Sequence, residues 1–128
     1  MIAKKTVNIA IIGIGSNIEP EANISKMLHI LGDAVDIVKL SSFVKTRPIG
    51  MDNQPDFTNG VVNIKTSMKQ EELRVFLKDV EDRRGRDRTS PPYGPRTIDL
   101  DVVVWNGEIV DEDYYERDFL RKNVRKVS

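Results

Sequence analysis

The chain has 128 residues, 39% of them apolar and 31% charged, which suits one domain around one core and is too short for two. Twenty basic and twenty acidic residues cancel, which argues against duplex nucleic acid as a partner, since phosphate neutralisation supplies most of that affinity. With no cysteine, disulfides and thiolate metal sites are excluded, and a single histidine (His29) leaves no multi-histidine metal site. A catalytic metal would have to be held by oxygen, which favours Mg²⁺, Mn²⁺ or Ca²⁺.

No apolar run approaches the roughly 18–20 residues that cross a bilayer. The start of the chain carries Lys4 and Lys5, and Asn8 interrupts the apolar stretch at 7–14, so it reads as a buried strand and not as a signal peptide. The expectation is a cytoplasmic protein, monomeric or weakly homo-oligomeric, with neither membrane nor nucleic acid as partner.

In chain order, residues 7–14 form a first strand that stops at Gly13-Ile14-Gly15-Ser16-Asn17. Glu19-Pro20-Glu21 opens a helix whose Ile24, Met27, Leu28 and Leu31 make one apolar stripe, with Gly32 as its stop. Residues 36–46 read as a second strand, broken by Arg47-Pro48-Ile49-Gly50, and 51–55 as a loop. A third strand spans 57–66. Ser67 and Gln70 fit a capping box for a second helix with the stripe Leu73, Phe76, Leu77 and Val80, ending at Gly85. An arginine-rich loop follows at 85–96, then a strand over 97–105 and a hairpin turn at Asn106-Gly107. The tail, 111–128, is highly charged and is assigned no firm structure.

The order βαββαβ with a small appended hairpin implies an α+β chain of one domain, residues 1–128. Its plan is ferredoxin-like: an antiparallel sheet with both helices on one face and the other face open for a site.

On the strand at 97–105, side chains alternate. Ile98, Leu100, Val102 and Val104 are expected under the helices, with Asp99 and Asp101 side by side on the other face. Two such carboxylates lie about 6–7 Å apart along the backbone and repel unless a cation or solvent intervenes. Mg²⁺ is commonly held by one or two carboxylates plus substrate phosphates. Alone, Asp-x-Asp is more often a solvated edge strand with two surface acids. Beside it stand Arg96 and, upstream, Arg83, Arg84, Arg86 and Arg88; arginine forks bind phosphate oxygens in pairs. Arg83 and Arg84 also fit a solvated helix end, where basic groups favour the dipole. The arginines also allow a single-stranded RNA face, with Phe43 and Phe57 as stacking aromatics, which Asp99 and Asp101 oppose.

Four segments in this order, Ile14-Gly15-Ser16-Asn17, Ser41-Ser42-Phe43 with Thr46-Arg47-Pro48-Ile49-Gly50, Gln54-Pro55-Asp56-Phe57-Thr58-Asn59, and Gly94-Pro95-Arg96-Thr97-Ile98-Asp99-Leu100-Asp101, resemble the signature of the 6-hydroxymethyl-7,8-dihydropterin pyrophosphokinases of folate synthesis. The resemblance covers roughly residues 7–110. It implies Mg²⁺-dependent transfer of the β,γ-pyrophosphoryl group of ATP to the pterin hydroxymethyl oxygen, with release of AMP. Asp99 and Asp101 would then hold two Mg²⁺ ions. Arg86, Arg88 and Arg96 would face phosphate, with Arg86 and Arg96 counted among the catalytic groups, and Glu81 would lie at the nucleotide end. Thr46, Ile49, Phe57 and Asn59 would line the pterin pocket, with Tyr93 in a closing loop and Phe119 stacking if the tail folds back. Arg117-Asp118-Phe119-Leu120 resembles the family's Arg-x-Phe, but the segment before it is short and lacks Pro-His, and Arg47 stands at a small or proline position. A related transferase with another acceptor, or a non-catalytic module of the same fold, are the alternatives.

Overall fold

The computed structural model describes residues 6–89 and 94–128. Its elements run β1 (Asn8–Ser16), α1 (Pro20–Ala34), β2 (Asp36–Leu40), β3 (Val44–Thr46), β4 (Phe57–Thr66), α2 (Gln70–Arg83), β5 (Asp99–Trp105), β6 (Glu108–Ile109), α3 (Asp113–Glu116) and α4 (Asp118–Val127). The strands form one six-stranded sheet in the order β2-β4-β1-β5-β6, with β3 also on β4 and every pairing antiparallel.

The expected helices form for the expected reason, since each presents an apolar stripe. Ile24, Met27 and Leu31 of α1 and Leu73, Leu77 and Val80 of α2 are buried against Ala10, Ile12, Ile14, Val62, Ile64, Leu100 and Val102 of the sheet. Full burial of each such side chain is worth about 1.5–3 kcal/mol. Pro20 sits in the first turn of α1, where its missing N–H costs nothing. The helix runs through Gly32 to Ala34, and Val35 N–H closes it on Leu31 O at 2.9 Å. Packing of Leu31 and Val35 outweighs the roughly 1 kcal/mol that a helical glycine costs. The N-terminal box of α2 lies two residues beyond Ser67: Glu72 Oε1 accepts Lys69 N–H at 3.1 Å. Gly85, at φ 75°, ends that helix as expected. Asn106 and Gly107, at φ 48° and 83°, make the tight turn into β6.

Three expectations change. Residues 36–46 form two strands, β2 and β3, interrupted at Ser41-Ser42-Phe43. Ser41 there keeps contact with β4 by donating its N–H to Val61 O and accepting Val61 N–H, both at 2.9 Å. In β5 a register shift opposite Ile11 and Ile12 breaks the strict alternation. Val102 therefore stays with the α1/α2 core, while Val103 and Val104 both join the opposite cluster. The tail, finally, is ordered. Leu120, Val124 and Val127 of α4 are buried on Ile11, Val61, Val103 and Val104, and Asn63 Nδ2 donates to Val127 O at 2.7 Å. The second sheet face, expected to be open, is closed by α4 over part of its area and open beside Gly13 and Gly15.

Candidate active site

Three strands build the floor. Gly15 of β1 pairs with Asp99 of β5 on one side and Asn59 of β4 on the other, and Gly13 pairs with Asp101. At both glycines a side chain would crowd its neighbours. A Cβ at Gly15 would stand 3.0 Å from Asn59 Oδ1 and 3.9 Å from Asp99 Cβ, and one at Gly13 would stand 3.2 Å from Val103 Cγ2. The bare backbone of β1 thus leaves a trough between the side chains of β4 and those of β5.

Asp99 and Asp101 share the face of Val103, away from α1 and α2, as their alternation requires. Asp99 Oδ1 meets Arg86 Nη1 at 3.2 Å and Arg96 Nη1 at 3.5 Å. Among the described residues no arginine lies so close to Asp101. Burial first, then the charges of Asp99, Asp111, Glu81 and Asp113, push its carboxyl up to about 7. The residue itself is exposed, which tempers the desolvation, but the crowding of carboxylates does not depend on it.

Glu81 is 4% exposed and acts as a bracket. Its Oε2 accepts Leu100 N–H at 2.8 Å and lies 3.3 Å from Arg86 Nη1, while its Oε1 lies 3.0 Å from Arg88 Nη1. Desolvation raises its pKa, against the lowering effects of the Leu100 N–H and of Arg86. Arg86 also donates to Ile98 O at 3.0 Å, so α2, the loop after it and β5 are fastened at one point. Of the other arginines, Arg83 pairs with Asp79 on the helix surface at 2.7 Å, and Arg84 donates to Asn23 Oδ1 at 3.3 Å, tying α2 to α1.

Asn17 is the positioning residue that sequence reasoning missed. It is 4% exposed; its Nδ2 donates to Gln54 Oε1 at 2.8 Å and Pro55 O at 3.0 Å, and its Oδ1 accepts Arg96 N–H at 2.8 Å. It therefore joins the loop before β4 to the segment before β5. Ser16, fully buried, donates its hydroxyl to Thr97 O at 2.6 Å. Gly-Ser-Asn after an apolar strand gave no distinct signal, since these are ordinary turn residues.

Three neighbouring cavities meet at Asp99. One, of about 200 Å³, is lined by Thr46, Arg47, Ile49, Phe57, Asn59 and Arg96 among others, and so gathers all four residues expected at the pterin pocket. Within it Asn59 Nδ2 donates to Thr46 Oγ1 at 2.5 Å. A second, of about 370 Å³, gathers Glu81, Arg86, Arg88, Arg96, Asp99 and Asp101 with Arg74 and Lys78 of α2. The third, of about 70 Å³, lies between them against α4 and includes Asp101, Asp111, Asp113, Arg117 and Phe119. Phe119 thus stands beside the Thr46–Asn59 cavity and not in its lining, with the Arg117 guanidinium 5.7 Å from its ring centre. Tyr93 lies outside the described residues. A larger, mostly apolar cavity of about 650 Å³ lies against α1 and Phe43, remote from the carboxylates. Phe43 covers Gly60 on the helix-bearing face while Phe57 lines the trough, so the two aromatics form no common stacking platform for RNA.

Residues 11–128 match the family model described as 7,8-dihydro-6-hydroxymethylpterin-pyrophosphokinase (HPPK). The chain belongs to the HPPK family. It is 38% identical over 109 residues to the 2-amino-4-hydroxy-6-hydroxymethyldihydropteridine pyrophosphokinase of Bacillus subtilis (strain 168), covering 83% of this chain and 65% of that one. The enzyme of that name from Haemophilus influenzae is 33% identical over 110 residues, covering 81% of this chain and 66% of its own. That from Aquifex aeolicus is 33% identical over 100 residues, covering 77% and 62%. The chain therefore spans just under two thirds of the length of these HPPK relatives.

Among the described residues of this HPPK-family chain, no group of three or more His, Cys, Asp or Glu is arranged to hold a metal. A cation at Asp99 and Asp101 would complete its coordination with phosphate or water oxygens, which suits Mg²⁺ better than a metal needing an all-protein cage. The crowded carboxylates around Asp101 fit such a group. No helix among the described residues is long and apolar enough to cross a membrane.

Proposed function

We propose that the chain transfers the β,γ-pyrophosphoryl group of ATP to the hydroxymethyl oxygen of 6-hydroxymethyl-7,8-dihydropterin, releasing AMP, with two Mg²⁺ ions held by Asp99 and Asp101. The observation that carries this reading is that Asp99 lines all three cavities and Arg96 lines both of the larger ones. A donor in the cationic cavity and an acceptor in the Thr46–Asn59 cavity would meet at these two residues.

In that arrangement Asn59 and Thr46 present a donor–acceptor edge to the flat pterin, and Phe57 walls it. Arg86, Arg88 and Arg96 face the triphosphate and hold it in line, since phosphoryl-type transfer depends mostly on positioning and charge stabilisation. Mg²⁺, when bound, neutralises phosphate oxygens and lowers the barrier to attack by the acceptor oxygen. That oxygen bonds to the β-phosphorus as the bond from this phosphorus to the oxygen bridging it to the α-phosphate breaks. AMP leaves and the hydroxyl proton passes to solvent. The ferredoxin-like assignment is supported by the run β2-β4-β1-β5 and by α1 and α2 sharing one core cluster.

The test is AMP release from ATP and Mg²⁺ with and without 6-hydroxymethyl-dihydropterin. Release that requires both pterin and metal supports the reading. Turnover that ignores the pterin rejects it.

A further inference from the structure

The cations of the trough divide by cavity. Arg86 and Arg88, with Arg74 and Lys78, line only the larger one, and each of the two site arginines is already tied to carboxylate. Arg96 lines both larger cavities and is drawn to Asp99. Arg117 lines the Thr46–Asn59 cavity and the smallest one, with its guanidinium over the Phe119 ring, whereas Arg47 lines the Thr46–Asn59 cavity alone. Arg47 is exposed, and no hydrogen bond or ion pair to a described residue holds its guanidinium. It follows directly on Thr46, at the end of β3, so its backbone is anchored by the pairing of Thr46 with Phe57 while its side chain is at liberty.

This distribution matters because the proposed reaction leaves the transferred diphosphate attached to the occupant of the Thr46–Asn59 cavity. Before transfer, the acceptor is a neutral alcohol and offers a guanidinium nothing to pair with. After transfer, it carries a diphosphate, a multiply charged group whose oxygens match an arginine fork. A cation that lines the acceptor cavity alone therefore distinguishes product from substrate.

We propose that Arg47 is a binding residue for the diphosphate of the product, favouring the diphosphorylated pterin over the hydroxymethylpterin at the same cavity. This rests on the function proposed above.

The test is titration calorimetry of the full chain in Mg²⁺ with each ligand in turn, on wild type, Arg47→Ala and Arg47→Lys. Arg47→Ala is expected to weaken the diphosphate about tenfold, equivalent to about 1.4 kcal/mol, and to leave the alcohol within about twofold. Arg47→Lys should recover part of the loss, and the wild-type preference should shrink as salt rises. Equal weakening of both ligands, or an unchanged product affinity, overturns the proposal while leaving the active site intact. A wild-type chain that binds neither ligand overturns the site reading, and this inference with it.

Discussion

A carboxyl held at about 7 by burial and by Asp99, Asp111, Glu81 and Asp113 stays protonated in the folded chain where an unfolded aspartate is ionised. The folded state then binds more protons than the unfolded state between the ordinary aspartate pKa and about 7. Its contribution is fully present at low pH and is lost as pH rises through that window. Without divalent cation, the melting temperature should fall across this range by more in the wild type than in Asp101→Asn, which thermal scans at several pH values would reveal; parallel curves would rule the effect out. Mg²⁺ should displace the proton and raise the wild-type melting temperature most at the alkaline end. For catalysis, Asp99→Ala or Asp101→Ala should lower pterin-dependent AMP release by about 10²-fold or more, the scale on which removal of one electrostatic stabiliser acts. Circular dichroism should show both variants folded, since neither side chain belongs to either apolar cluster.

Among the elements, α4 offers the most direct stability test, because its docking was not expected. Leu120 is 6% exposed in the cluster that covers Ile11 and Val103. Leu120→Ala should cost about 2–5 kcal/mol in denaturant unfolding, as buried leucine truncations do; a change under 0.5 kcal/mol would mean that α4 is not docked. Gly60→Ala should also destabilise, because its Cβ would fall 2.5 Å from the Phe43 ring, and Phe43→Ala in the same chain should relieve much of that strain. These elements differ in how far they could be read beforehand. The strand at 57–66, both helical stripes and the Asn106-Gly107 turn follow from period and turn chemistry, which are local properties. The break at Ser41 and the bulge in β5 arise from pairing with distant strands, and no local period encodes them. The stripe of α4 was in view at Leu120, Val124 and Val127, but the charges between these residues hid an amphipathic helix whose partner face lies about a hundred residues earlier in β1 and about sixty earlier in β4. The site shows the same division. Asp99, Asp101 and the arginines were legible as residue types beside one another. The hub at Asn17 and the bracket at Glu81 depend on segments that only the fold brings together.

At the scale of the molecule, the sheet sorts its two faces by task. One is sealed by α1 and α2 over the larger apolar cluster; the other carries the smaller cluster under α4 and, beside it, two glycines, a carboxylate pair and the cavities that meet there. The central claim is that this second face grips a divalent ion against a polyphosphate through Asp99 and Asp101. Mn²⁺ titration followed by electron paramagnetic resonance, with and without a non-hydrolysable ATP analogue, tests it most directly. The nucleotide should tighten Mn²⁺ binding in the wild type and fail to do so in Asp99→Asn and Asp101→Asn. Nucleotide-dependent binding of the same strength in all three proteins would contradict the account.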